Sequence, residues 1–165
     1  RAEPSFTTRH LTEFTGWDFE IAYIDSHHDV MDTEEAMLKT GFAKLKEAGL
    51  IDEEIKVPFV RLPFTEAKTK LKAAGVTSDK PNDFSPEEER KISEIVKNET
   101  GSEFVFIIDY PPAGRAFYHM RHEDNPELTK GFDLLYKGLE ITTGAQREHR
   151  YNILVKQALE KGLTE

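Results

Sequence analysis

Cysteine is absent from all 165 residues. That excludes a disulfide framework, thiol catalysis and cysteine-based zinc sites, and it fits an intracellular setting. Long apolar runs are missing as well: no stretch approaches the roughly 20 residues that a membrane span needs. The opening RAEPSFTTRH lacks the apolar core of a signal peptide. It also lacks an initiating methionine, which points to a chain cut from a longer one. There are no repeats, no low-complexity tract, and no glycine-rich phosphate loop of the Walker or dinucleotide type. Positive charge is scarce: 22 Lys and Arg stand against 31 Asp and Glu, a net charge of −9. Such a surface is poorly suited to gripping a phosphate backbone over a broad area. Contact with nucleic acid is therefore expected to be local, or to fall to regions outside this chain.

What remains is the composition of one folded domain, 38% hydrophobic and 32% charged. GWDFEIAYI alternates, with Trp17, Phe19, Ile21 and Tyr23 on one side, and predicts a strand with one buried face. DTEEAMLKTGFAKLKEAG predicts a helix capped by Asp32, with Glu35 completing a capping box, Leu38, Phe42 and Leu45 as its apolar stripe, and Gly49 as its stop. A second helix is expected from a Thr65 cap to Gly75, and a third from Ser85 and Pro86, with three glutamates at its positive end. EFVFIIDY reads as a central strand and AFYHM as a return strand after the Pro111–Gly114 turn. GFDLLY and LEIT, joined by Lys137-Gly138, read as a tight hairpin, and EHRYNILVKQALEKG as a closing helix. The order predicts an α+β fold, an antiparallel β-sheet flanked by helices.

Two clusters invite chemistry. In the hairpin, Tyr136 is expected opposite Leu139 and Leu135 opposite Glu140, which leaves Asp133 and Glu140 on one face, a diagonal step apart. Either both acids face water, or they hold a cation; oxygen ligands used with phosphates suit Mg²⁺. Near the N-terminus, Arg9 and His10 sit between two extended segments, either as an exposed loop or as cations over a polyanion. His27-His28 reads as part of a turn. His119 and His122 lack helical spacing and a nearby acid pattern, and read as no zinc site.

Taken together, the pieces resemble a family. RAE, TTRHLTEF and DFEIAY look like motif 2 of class II aminoacyl-tRNA synthetases. FDLLYKGLEITTGAQREHR and YPPAGRAFYHM resemble segments of aspartyl-tRNA synthetases of the archaeal and eukaryotic type, in the right order along the chain. The resemblance implies part of a catalytic domain over residues 1–165, from motif 2 through the strand and helix before motif 3. It implies ATP-dependent activation of L-aspartate to aspartyl-adenylate and transfer to tRNA, in a cytoplasmic enzyme, homodimeric at full length. It implies ATP contacts by Arg1, Ala2, Glu3, Arg9, His10, Leu11, Phe14 and Glu140, with Arg1 on the α-phosphate and Phe14 on the adenine. It implies aspartate contacts by Asp18, Thr143, Gln146 and Arg147, and Mg²⁺ ligation by Asp133, Glu140 and Thr143.

There are departures: Thr142-Thr143 stand for two serines, Ala145 for a glycine and Leu135 for a glutamate. Motif 1, motif 3 and an anticodon domain have no counterpart here, so the 165-residue chain is expected to be inactive alone. The alternatives are an asparaginyl-tRNA synthetase, an asparagine-forming paralogue, or a non-catalytic module derived from the same fold.

Overall fold

The apolar run Phe104–Ile108 forms strand β2, and all five of its residues are buried. This follows from a computed structural model that describes Ala2 and residues 11–164. Three further strands, β1 (Val60–Pro63), β3 (Gly131–Tyr136) and β4 (Leu139–Ala145), complete a sheet of order β1-β2-β3-β4. The β2–β3 and β3–β4 pairs are antiparallel, as expected, but β1 runs parallel to β2. The sheet is mixed because β1 and β2 are joined by two helices, α2 (Phe64–Ala73) and α3 (Pro86–Thr100), and a helical crossover returns the chain in the same direction.

Alternation along the strands divides the core in two. Val105, Ile107 and Leu135 pack with Leu71, Ile92 and Val96 from α2 and α3. Phe104, Phe106, Phe132 and Leu134 face the other way, onto Met31 of helix α1 (His27–Glu47). Helix α4 (Tyr151–Glu160) closes the chain.

Local signals account for most helix ends. Ser85 caps α3 and accepts the Glu88 N–H, while Glu88 reaches back to Ser85, and left-handed Gly101 ends the helix. The cap expected at Asp32 is not there: α1 begins at His27, capped by Ser26, with Asp29 closing the capping box. Ser-His-His-Asp is itself a capping sequence, so His27-His28 form the first turn of a helix rather than a loop. Asp32 pairs instead with Arg61, and Glu35 accepts the Phe59 N–H at 2.7 Å, tying α1 to the segment entering β1. Leu38 and Phe42 join the core, but Leu45 is exposed. Helix α2 has Pro63, not Thr65, at its cap, because β1 runs straight into it.

Two expected strands do not form. Residues 14–24 have no regular structure, and Trp17 and Tyr23 are exposed. Alternation expresses a preference that needs a neighbouring strand to satisfy it, and no described strand pairs with this segment. Residues 116–120 likewise make only an isolated bridge, His119 to Arg147.

Candidate active site

The hairpin that carries the acids turns on Lys137 and Gly138, with φ of 51° and 80°. Two successive left-handed residues are what a two-residue type I′ turn requires. Tyr136 faces Leu139 and Leu135 faces Glu140, as the sequence predicts. A bulge then breaks the register between Leu134 and Leu135, so that Leu134 faces Thr142 and Asp133 faces Thr143. Without it, Asp133 would face Thr142. Directly opposed residues share a sheet face, so the bulge puts Thr143 on the face of Asp133 and Glu140 and leaves Thr142 on the α1 face. There the Thr142 hydroxyl donates to Glu34, whose carboxyl is raised by burial.

Asp133 is buried and held by Arg115 through both oxygens, with Nη1 2.9 Å from Oδ1. Glu140 has no ion-pair partner among the described residues. Although its side chain is open to solvent, its carboxyl is pushed up to about 7, first by the surrounding protein and then by Asp133 and Glu89. Asp133 and Glu89 thus disfavour the charged form of Glu140, and Arg115 opposes them only in part. Three oxygen donors of this kind fit a hard divalent cation such as Mg²⁺, with Glu140 and Thr143 free to ligate and Asp133 acting from behind its clamp.

The other predicted residues meet elsewhere. Asp18, Thr143, Gln146 and Arg147 all line one cleft of about 910 Å³ between β4, the start of α1 and the irregular segment 17–24. Thr143 thus belongs to both the acid face and the cleft, whereas Asp133 and Glu140 lie outside the cleft lining. Arg147 stands at the surface, paired with Glu20 at 2.6 Å and 5.6 Å from the centre of the Tyr118 ring. It is the one permanent cation among the described lining residues. Gln146 is fixed through its backbone to Met120 and Lys130, and its side-chain Oε1 is buried with no hydrogen bond. His119 also lines the cleft; burial and then Arg115 push it down to about 4, so it is neutral at pH 7.

One of the small residues after the acid, Gly144, has a packing role. A β-carbon on Gly144 would lie 2.3 Å from Cζ of the buried Phe132 ring. The charged run that follows is sorted rather than pooled: Arg150 folds back onto Glu148 and reaches Glu123, leaving Arg147 to the cleft.

Arg1, Glu3, Arg9 and His10 lie outside the described residues. Ala2 bridges Glu13 in antiparallel fashion, and Leu11 and Phe14 are exposed, but none of Ala2, Leu11 and Phe14 lines the cleft. Sequence reasoning missed Arg115, whose role depends on reaching a strand well beyond it in the chain.

The family of class II tRNA synthetases (D, K and N) matches residues 1–165. The chain belongs to that family. It is 40% identical to the aspartate–tRNA(Asp/Asn) ligase of Aeropyrum pernix over 99% of its own length, but spans only 39% of that relative. Its fold is similar to the aspartyl tRNA synthetase of Entamoeba histolytica, with a TM-score of 0.90 and 34% identity over 99% of the chain and 36% of that protein. The asparaginyl-tRNA synthetase of the same organism, in complex with asparaginyl-adenylate, gives a TM-score of 0.77 at 26% identity, over 99% of the chain and 40% of that protein. As a class II synthetase chain it has the expected fold, helices around a largely antiparallel sheet, with the β1–β2 pair as the exception. Among the described residues, no helix is long and apolar enough to cross a membrane.

Proposed function

We propose that the full-length protein activates L-aspartate with ATP and transfers the aspartyl group to tRNA. Residues 1–165 would supply the part of the catalytic domain running from motif 2 to the strand and helix before motif 3. The observation that carries this reading is the convergence of Asp18, Thr143, Gln146 and Arg147 on one cleft. Free aspartate offers an ammonium, an α-carboxylate and a side-chain carboxylate. The Asp18 carboxylate and the unsatisfied Gln146 oxygen can accept from the ammonium, and the Thr143 hydroxyl and the Arg147 guanidinium can donate to carboxylates.

In the first step an oxygen of the aspartate α-carboxylate attacks the α-phosphorus of ATP, and the bond to pyrophosphate breaks. In the second, a ribose hydroxyl at the tRNA end attacks the adenylate carbonyl, and AMP leaves. Asp18 receives the ammonium, Arg147 the side-chain carboxylate, and Arg1 with Arg9 and His10 the phosphates. Such a protein contributes chiefly by positioning and by fixed charge. Glu140 and Thr143, backed by Asp133, would hold Mg²⁺, which when bound offsets phosphate charge. Homodimerisation and a cytoplasmic setting are part of the same reading and rest on the family resemblance.

ATP–pyrophosphate exchange on the full-length protein tests the proposal. Exchange should depend on aspartate and be far weaker with asparagine. Equal or better exchange with asparagine would make it an asparaginyl enzyme, and no exchange with either would make it a binding module.

A further inference from the structure

A second constellation lies apart from the cleft and the acid face. It draws on three segments distant in sequence: His27, the first residue of α1; Asp109, just past the end of β2; and His122, in the connection between β2 and β3. Asp109 has a left-handed backbone, φ 60°, and its N–H donates to the Gly131 carbonyl, so its carboxylate turns off the sheet axis toward α1. His122 Nε2 is 2.8 Å from Asp109 Oδ1, and His27 Nε2 is 3.6 Å from the same oxygen. One donor atom from each of the three residues lies within 4.8 Å of the other two.

His27 makes the arrangement unusual. Its side chain is 2% exposed, yet neither ring nitrogen has a hydrogen-bond partner among the described residues. Buried polar atoms are almost always satisfied, and one left unpaired costs stability. Its Nε2 points at the carboxylate from just beyond hydrogen-bonding distance. Ligands at 2.0–2.1 Å around a tetrahedral ion stand about 3.4 Å apart. The two nitrogen–oxygen separations fall either side of that value, so rotations of two imidazoles would bring all three donors into range. Arg61 touches the neighbouring His28 and is itself paired with Asp32.

We propose that His27, Asp109 and His122 form a transition-metal site, with Zn²⁺ as its occupant and water completing the coordination. Two imidazole nitrogens and one carboxylate oxygen suit zinc and do not suit Mg²⁺, which takes oxygen donors. The ion satisfies one of the orphaned His27 nitrogens. It clips the start of α1 to the end of β2 and to the connection that carries His122, and so supports the α1 end of the cleft. This inference does not depend on which amino acid is activated.

Cobalt substitution tests it on the full-length protein stripped with a chelator. Added Co²⁺ should give the visible absorption of a nitrogen-containing, low-coordinate site at one equivalent per chain. Zn²⁺ should displace it and excess Mg²⁺ should not. His122→Ala and Asp109→Asn should each weaken binding by at least about tenfold, the lower end of what loss of a mere supporting partner costs a metal site, with the far-ultraviolet circular dichroism unchanged. X-ray absorption of the zinc-loaded wild type should show two imidazoles, and this readout needs no variant to fold. Absence of the cobalt spectrum, its displacement by Mg²⁺, unchanged affinity in the folded variants, or a zinc shell without imidazole would each overturn the site.

Discussion

Arg115 grips Asp133 by both oxygens while its guanidinium carbon sits 3.5 Å from the centre of the Tyr110 ring. The side chains are 11% and 4% exposed, so the pair is shielded from water. Removing one member of such a pair leaves an uncompensated buried charge, at a cost of about 3–5 kcal/mol. Arg115→Ala should therefore lower stability by that order in urea unfolding. Arg115→Lys should recover only part, since an ammonium cannot make two parallel bonds or stack on the ring. A loss below about 1 kcal/mol for Arg115→Ala, the range of exposed ion pairs, would mean that water reaches Asp133.

Gly144 carries the second prediction. The Phe132 ring opposite it is buried and belongs to the same core cluster as Met31 of α1, so it must shift to admit a β-carbon. Overpacking of this kind costs roughly 1–3 kcal/mol. Gly144→Ala should shift the urea midpoint accordingly, even with no substrate present. An unchanged midpoint would mean that the Phe132 ring gives way without cost.

The contrast between these two positions shows what was legible in the sequence. Two signals confined to a few neighbours were read correctly: Ser85-Pro86 with Glu88 starts a helix, and Lys137-Gly138 makes a hairpin with Glu140 opposite Leu135. The bulge that moves Thr143 opposite Asp133 depends on packing across two strands, and no residue announces it. Segment 17–24 misled because alternation is a local property whereas a strand is a pairing. His27, Asp109 and His122 were passed over for the same reason: the acid that complements the two histidines comes from another part of the chain.

Glu88 sets a pH dependence. It is buried at the start of α3, and burial alone would raise its carboxyl. Hydrogen bonds from Lys68 and Ser78, and from the Ser85 N–H, outweigh burial and hold it below its ordinary 4.5. A depressed acid binds its proton less readily folded than unfolded. Its stabilisation is present above 4.5 and is lost as pH falls through the folded value. Wild type should lose more stability between pH 7 and acid than Glu88→Gln does. Parallel pH profiles for the two would assign the acid sensitivity to other carboxylates.

Glu140 is expected to act on the chemical step. Its carboxylate lies on the face it shares with Asp133 and Thr143, and a metal clamp on phosphate contributes several kcal/mol to a transition state. Glu140→Ala in the full-length protein should slow adenylate formation in rapid-quench experiments by about a hundredfold or more, at roughly tenfold per 1.4 kcal/mol. An unchanged rate at saturating Mg²⁺ would leave it a surface acid.

Under the proposed function, Arg147 is expected to carry the choice of substrate. In the structure its guanidinium holds Glu20, a carboxylate, at 2.6 Å, and both side chains are well exposed. That is a single nitrogen–oxygen contact; a guanidinium can also take a carboxylate by two parallel hydrogen bonds. A free aspartate side chain offers the same two oxygens, whereas asparagine turns one acceptor into a donor facing another donor. Where substrate binding buries the site, a group left unpaired in this way rejects the wrong ligand by roughly 10⁴-fold or more. Arg147→Leu should collapse kcat/KM for aspartate while KM for ATP changes little, and Arg147→Lys should rescue poorly because a point charge does not reproduce the fork. Glu20→Gln separates this role from the ion pair. An exposed pair contributes only about 0–1 kcal/mol to stability, and Glu20 competes with aspartate for the guanidinium. Its removal should therefore leave kcat/KM unchanged or higher. If Arg147→Leu lowered kcat/KM by less than about threefold, well short of the tenfold that 1.4 kcal/mol represents, the carboxylate would have to be read by another residue of the cleft, and the pairing with Glu20 would be all that Arg147 does.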